Sequence, residues 1–481
     1  MRLIPAYKWA KNVRAVRLSN QSFTRKPWAS GLILIVCVII AMLLANLPFT
    51  RDLYHNLLNT SLSMSIQSPT LVDGSHVIDW VFPKGMTVEK FINDILMVIF
   101  FFTVGLEIKR EVSCGELSSP KKAMMPVIAA AGGMLMPAII YALFNHGTDA
   151  VSGWGIPTAT DIAFAVGIMS ILGDRVPISL KVFLTALAIA DDLGAILVVA
   201  FFYGGQINIA LLAIALLLLA AIYIMNKMGE TRMMFYLIPA IAVWFLFYYA
   251  GIHATMSGVV MAFMIPMKAR YSRAYLTHKN REYERRLFEY ENYDDVEGEA
   301  TEEFPNDLQR HCLRRMSSIS NNTMGMSYRL EHALNPWVNF CIMPIFALAN
   351  AGVEIPDLSY FNIFQWSPEL GSVGMGVFFG LLLGKPIGIT LASFLAIKCK
   401  VGEMPKRATW PMLFAVACLG GIGFTMSIFV DTLSFGAYPD ICEHLRASGK
   451  IAVLLGSLCS GIMGSILIHL FHKLKANRNV R

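Results

Sequence analysis

Apolar runs long enough to cross a bilayer recur along most of this chain, separated by short polar stretches. A spanning helix needs about 20 mostly apolar residues. Twelve segments meet or approach that length: 30–48, 89–108, 122–144, 154–170, 178–202, 207–225, 233–250, 252–267, 334–352, 372–397, 408–431 and 450–472. The pattern predicts an all-α polytopic membrane protein with about twelve spans. Segments 154–170 and 252–267 are the shortest or most interrupted of the set.

The pattern also divides the chain. Residues 1–29 form a polar N-terminal segment, 30–267 hold eight spans, 268–329 are polar, 330–472 hold four more spans, and 473–481 are a polar tail. The 268–329 stretch runs from basic ("KARYSRAYLTHKNREYERR") to acidic ("ENYDDVEGEATEEF") and is expected to be flexible and solvated, a tolerated insertion. Residues 49–88 contain "SPTLVDGSHVIDW", whose β-branched and turn residues suggest a short hairpin.

Composition agrees with the pattern. Of 481 residues 56% are hydrophobic, the mean hydropathy is +0.55, and 15% are charged, against about 25% in ordinary soluble domains. With the N-terminus on the cytoplasmic side, inside segments hold 34 of the 40 Lys and Arg and outside loops hold five. That asymmetry is the positive-inside rule, and it places both termini in the cytoplasm. The net charge of +7 then reflects topology and contact with membrane lipids. The basic residues follow the loops and form no aromatic-interleaved patch, so no nucleic-acid partner is expected. A charged start followed by an apolar run also resembles a signal peptide. The run is of full spanning length, however, so a retained first helix is expected. The eight Cys show no CxxC and no Cys/His cluster, which suggests small packing residues and neither disulfides nor zinc ligands.

Against this background four charges stand inside apolar spans: Asp161, Asp191, Asp192 and Lys385. Even on mild insertion scales a charge at the membrane centre costs about 2.5–3.5 kcal/mol. Adjacent residues on a helix diverge by about 100°, so one of Asp191 and Asp192 can face an ion cavity while the other faces a partner. Two close carboxylates titrate as a coupled pair. Such a pair can hold protons or a hard cation but not both well, and that competition is the essence of exchange. Thr160 and broken backbone near it could complete an oxygen shell. Lys385, in "GLLLGKPIGITLASF", can act as a counter-charge to Asp191 or offset negative helix ends, while Asp161 offsets positive ones. The bland alternative is an internal ion pair with no transport role. Pro and Gly interrupt two spans, at "GWGIPTATDIAF" (153–164) and "CLGGIGFTMSIF" (418–429). Freed backbone at membrane depth is tolerated only where protein or water satisfies it, and paired interruptions in two halves point to a transporter built from inverted repeats.

Seven segments in order, "FFTVGLEIKREV", "GWGIPTATDIAFAVG", "LALAIADDLGAI", "GIHATMSGVVMAFMIP", "FALANAG", "GKPIGI" and "GIGFTMSIF", resemble the signatures of the NhaA-type sodium/proton antiporters, from about residue 30 to 470. The resemblance implies twelve helices with inverted-topology repeats and two unwound, crossing helices, the fourth and eleventh. It implies that Asp191 and Asp192 bind Na+ or Li+, that Lys385 partners Asp191, and that Asp161 and Lys385 compensate the crossed half-helices. Thr160 would neighbour the site, and Asp94 would be a further acid in the second helix. Glu107, Arg110, Glu111, Glu331 and His332 would be pH-sensing groups. The activity implied is electrogenic export of cytoplasmic Na+ or Li+ against external protons, switched on at alkaline pH, with no cofactor. It would occur in a bacterial inner membrane as a homodimer joined through the 49–88 loop. One departure stands out: the family's "HPW" reads "NPW" here, with Asn335, so a sensor needing that histidine does not carry over. His253, in "GIHATMSG", matches a family histidine and is expected to make a structural hydrogen bond.

Three other classes compete with this reading. An intramembrane aspartyl protease needs its two Asp on separate helices, one in a GxGD element. The Gly173-Asp174 pair here lacks the first Gly, and no enzyme is expected. A cation channel would have a continuous pore with rings of ligands, against which paired broken helices argue. A sodium-coupled symporter would carry an organic substrate.

Overall fold

The computed structural model describes residues 28–62, 66–67, 77–78, 86–204, 207–269, 271–291, 307–355, 364, 371–406, 408–435 and 439–479. The polar segment 1–29 lies almost entirely outside the described residues, as do 292–306 and most of 63–85.

The helices, in chain order, are α1 (Ala29–Asn46), α2 (Arg51–Asn59), α3 (Val88–Cys114), α4 (Pro120–Phe144), α5 (Ile162–Leu172), α6 (Ile178–Phe202), α7 (Ile209–Lys227), α8 (Met234–Ala250), α9 (Thr255–Met264), α10 (Arg273–Glu291), α11 (Asp307–Thr323), α12 (Met326–Asn350), α13 (Val373–Lys398), α14 (Trp410–Gly420), α15 (Phe424–Ser434) and α16 (Pro439–Asn479). A 3₁₀ stretch, Asp149–Thr158, precedes α5. Among the described residues nine helical segments are long and apolar enough to span a membrane, or ten if α14 and α15, bent by 49° at their break, make one span. α8 and α9 are shorter apolar helices. The protein is thus an all-helical polytopic membrane protein, its β-structure among the described residues confined to isolated pairings such as β1 (Ile66–Gln67) with β2 (Val77–Ile78). These run antiparallel, Ile66 opposite Ile78 and Gln67 opposite Val77, in the stretch where the turn residues suggested a hairpin.

The chain forms two compact units, one of residues 1–100, 111–205 and 336–481, the other of 101–110 and 206–335. In the first, α4 and α13 make the most extensive helix pair. Small residues allow it. A methyl group on Gly388 would overlap the Gly132 carbonyl and come within 2.8 Å of Met136 Cβ, and one on Gly384 would lie 2.8 Å from Pro137 Cα. Lipid tails are as apolar as side chains, so membrane helices associate through such close packing. Lys385 emerges from this tight seam. Pro386, just after it, has no N–H to donate, and the helix widens into a π-turn over Gly380–Gly384 immediately before. Similar π-turns occupy Ile92–Leu96 in α3 and Val338–Ile342 in α12, the latter just before Pro344. Such turns relieve a broken hydrogen-bond ladder.

The second unit is built on an apolar cluster that includes Leu106, Leu219, Tyr236, Val243, Phe247 and Met261. Asn208 starts α7 by accepting from the Ala210 and Leu211 N–H groups at 3.1 and 3.4 Å, and Gly251, at φ 80°, ends α8 in the left-handed conformation. The short α9 leaves carbonyls at its C-terminal end. Lys109 Nζ donates to Phe263 O at 2.7 Å and to Ile265 O, and Asn226 Nδ2 donates to Met264 O at 2.6 Å.

The polar stretch 268–329 differs from expectation. It holds α10 and α11, which pack against each other. On α10, Lys279 and Arg286 bracket Glu282 at 2.7 and 2.8 Å, the i,i+3 and i,i+4 spacing that supports a helix. On α11, Cys312 and Ile319 are buried two turns apart on one face. Most of the described side chains there are exposed, and sparse apolar residues at helical spacing suffice to pair the two helices.

The seam of α4 and α13 sets a prediction. Gly388→Leu forces a side chain into the Gly132 backbone, with an expected loss of about 1–3 kcal/mol from overpacking. Thermal unfolding in detergent should show a lowered Tm, whereas Ile387→Leu, at an exposed position of the same helix, should leave it unchanged.

Candidate ion-binding site

The two interrupted spans meet in the first unit. After the 3₁₀ stretch, Ala159 and Asp161 are extended, at φ −82°, ψ 154° and φ −92°, ψ 102°. Pro157 lies inside the 3₁₀ stretch, and a proline removes a donor and restricts the residue before it. Across from this stretch, α14 stops at Gly420 and α15 starts at Phe424. The Asp161 N–H donates to the Ile422 carbonyl at 2.6 Å, so backbone freed by one break satisfies backbone freed by the other. Ser457 of α16 closes the second break, its Oγ accepting from the Gly423 and Phe424 N–H groups at 3.2 Å each. The rings of Phe164 and Phe424, 4.9 Å apart, pack edge to face beside it.

Asp161 is 3% exposed and lies at the N-termini of two helices. As the cap of α5 it accepts from the Phe164 N–H at 3.2 Å, and through Oδ2 it accepts from the Thr425 hydroxyl at 2.5 Å and the Thr425 N–H at 3.4 Å at the start of α15. A carboxylate there meets the partial positive charge of both helix starts.

Asp191 and Lys385 are both 0% exposed and form an ion pair. Thr160 joins it. Lys385 Nζ donates to Thr160 Oγ1 at 2.9 Å, and that hydroxyl lies 2.6 Å from Asp191 Oδ2 and 2.8 Å from the Gly420 carbonyl. Its single proton serves one of these acceptors at a time. Lys385 and Thr160 therefore both engage Asp191 Oδ2, while Asp191 Oδ1 is buried without a hydrogen-bond partner. Taking two charges out of water costs several kcal/mol per ion, and replacing such a pair with apolar groups is often neutral or stabilising. A buried pair with one carboxylate oxygen unused is therefore poor stabilising design and suited to being broken and remade. Asp192, 2% exposed, follows Asp191 on α6. The arrangement offers carboxylate, hydroxyl and carbonyl oxygens, the donor type that hard cations take.

The other sequence candidates stand elsewhere. Asp94 is half-buried on the π-turn of α3, next to Asn93, whose amide exchanges hydrogen bonds with Asn350 at 3.1 and 2.8 Å. In the second unit Arg110 pairs with buried Glu331 and lies 3.7 Å from Glu107. His332 is exposed and its ring packs on Tyr328, centroids 4.0 Å apart. Glu111, in the first unit, accepts from the Glu116 N–H at 3.1 Å. His253 Nδ1 is 3.3 Å from Thr255 Oγ1.

The profile of the family described as Na+/H+ antiporter 1 matches residues 21–468. The chain belongs to that family. It is 41% identical over 440 residues to the Na(+)/H(+) antiporter NhaA of Oleidesulfovibrio alaskensis, covering 92% of this chain and 91% of the relative. It is 40% identical to the NhaA proteins of Pelagibacter ubique, over 92% and 94% of the two chains, and of Helicobacter acinonychis, over 96% and 98%. These relatives are transporters by name, and the matched stretch 21–468 includes both interrupted spans. Thr425 and Ser457 were not singled out as site residues from sequence. Thr425 stood in the quoted glycine-rich segment, but nothing there showed that its hydroxyl meets Asp161. Ser457 lies on another helix and carries no sequence signal.

A double-variant test follows. Lys385→Met leaves Asp191 buried and unpaired, which typically costs 3–5 kcal/mol, i.e. about that much here. Asp191→Asn with Lys385→Met removes both charges and should be clearly more stable than Lys385→Met alone in thermal unfolding. Additive losses would mean that the two side chains do not act as a pair.

Proposed function

We propose that this member of the antiporter family exchanges cytoplasmic Na+ or Li+ for external protons at Asp191 and Asp192. The observation that carries this reading is the half-engaged carboxylate of Asp191, with Oδ2 held by Lys385 and Thr160 and Oδ1 without a hydrogen-bond partner. In the proton-loaded form Lys385 holds Asp191. When protons leave, an alkali cation takes carboxylate oxygens of Asp191 and Asp192, with Thr160 at the edge of the site, and Lys385 is released. Asp161 and Lys385 hold the facing helix ends in place through the cycle. Protons and cation compete for the same oxygens, so cation affinity falls as pH falls. Asp94 serves as a further acid on the route.

The same proposal covers the setting: twelve spans with inverted-topology repeats, the two interrupted spans crossing, in a bacterial inner membrane with both termini cytoplasmic. The protein contacts membrane lipids and dimerises through the 49–88 loop. More than one proton enters per cation, so exchange is electrogenic, and the membrane potential contributes about 2.3 kcal/mol per net charge per 100 mV. Regulation by pH rests on Glu107, Arg110, Glu111, Glu331 and His332. The Arg110–Glu331 pair supports this, because protonating a buried carboxylate releases the cation held by it. Basic residues concentrated in the expected cytoplasmic segments support the orientation.

In liposomes bearing an imposed pH gradient, adding Na+ or Li+ should dissipate the gradient. Asp191→Asn and Asp192→Asn should each reduce this at least a hundredfold while keeping the wild-type elution profile. Normal exchange in either variant would refute the site assignment, and current without counter-transported protons would favour a channel. For regulation, Glu331→Gln and His332→Ala should move the rate-against-pH profile. Unchanged profiles would remove both residues from the sensor.

A further inference from the structure

α15 carries a buried acid that the exchange site does not use. Asp431 is 0% exposed, and neither carboxylate oxygen has a hydrogen-bond partner. Burying an unsatisfied carboxylate is unfavourable, and such a group calls for an explanation. It belongs to a polar face. Ser427, Asp431 and Ser434 follow each other at spacings of four and three on α15, which puts them on one side of the helix. All three are buried, and the Ser427 hydroxyl also has no hydrogen-bond partner. This face begins beside the break that holds Asp161 and ends at the helix C-terminus. With 1.5 Å rise per residue, its axial steps are about 6 and 4.5 Å.

The surroundings of Asp431 are built for a carboxyl group. Gly449 of α16 backs it, and a methyl group there would overlap Oδ1 and approach Val373 of α13 at 3.5 Å. Two cations of α16, Arg446 and Lys450, face it. Arg446 donates to the Thr432 carbonyl at 3.1 Å, while its Nε has no hydrogen-bond partner. Tyr141 of α4 and Tyr203, just after α6, face the same region, their hydroxyls donating to Ala150 O and Ser152 O at 2.7 and 2.8 Å. Glu89, at the start of α3, faces Lys450. A purely structural counter-charge for α16 would account for Arg446 and Lys450. It would not account for two carboxylate oxygens left without a hydrogen bond in line with the unsatisfied Ser427 hydroxyl.

We propose that Asp431 is a proton-relay acid on the outer side of the exchange site, taking protons from external water and passing them along the Ser427 face to Asp191 and Asp192. The proposal rests on the exchange reading and on its orientation. A hydronium O–H bond breaks as a carboxyl O–H bond forms on Asp431. That bond then breaks as the proton moves on through water beside Ser427, and the carboxylate is regenerated each cycle. The axial steps exceed a direct hydrogen bond, so each is bridged by water. A metal cation needs several oxygen ligands around it, whereas a proton needs one oxygen and leaves the carboxyl neutral beside Arg446 and Lys450. The station therefore admits protons and rejects the exchanged cation.

The test uses full-length protein in oriented liposomes, with pH varied separately on each side. Wild-type exchange is the control: its absence would refute the exchange reading itself. With wild-type exchange established, Asp431→Asn should lower the rate about tenfold or more at alkaline external pH, with little change when only the internal pH varies. Equilibrium ²²Na+ binding should stay at the wild-type level, and Asp431→Glu should restore the rate. Lys450→Gln, which removes a facing cation and keeps the carboxyl, should move the external pH profile to higher pH, and it keeps the proposal testable if Asp431→Asn does not fold. An Asp431→Asn rate equal to wild type, a loss indifferent to the side varied, or a parallel loss of ²²Na+ binding would overturn the relay.

Discussion

Every part of the candidate site depends on one constraint: charges and broken helix ends in a bilayer interior must be compensated by protein. Here the compensation is reciprocal. The Asp161 N–H satisfies the Ile422 carbonyl across the two breaks, and the Asp161 carboxylate lies at the starts of α5 and α15. Thr160, one residue earlier, reaches the Gly420 carbonyl and the Asp191–Lys385 pair. Neither break could stand alone at that depth, because each uses groups freed by the other.

That interdependence ties packing to chemistry. Lys385 is delivered by a helix that presses glycine against glycine on α4, with a widened turn and a proline on either side of it. Asp191 and Asp192 stand on α6, an uninterrupted helix. The acids are thus carried on rigid structure, while their partners come from irregular backbone or from beside a π-turn. A pair whose desolvation nearly offsets its attraction can be opened by a competing ion at modest net cost, which is why the proposed exchange places its switch there and not in a tightly satisfied network such as that around Asp161.

The sequence exposed the costly features most clearly. Asp161, Asp191, Asp192 and Lys385 were visible because charge inside an apolar run has few explanations, and both interruptions were visible as Pro and Gly inside spans. The partners were harder to read. Thr425 and Ser457 are ordinary residues in membrane helices, and their importance comes from which backbone they meet. Asp431, near the end of its apolar run, was overlooked because position alone does not distinguish an interfacial acid from a buried one. In 268–329 the charge density hides the helical spacing of Cys312 and Ile319, so the helix pair there is not legible in the sequence. The π-turns had no signal beyond nearby prolines and glycines.

The most direct test of the central claim is the number of protons released when Na+ binds, measured calorimetrically on detergent-solubilised protein in buffers of different ionisation enthalpy. Competition at Asp191 and Asp192 predicts heats that vary with the buffer, at least one proton released per cation bound, and an affinity that weakens steadily on acidification. Heats independent of buffer, with an affinity unaffected by pH, would contradict the shared site.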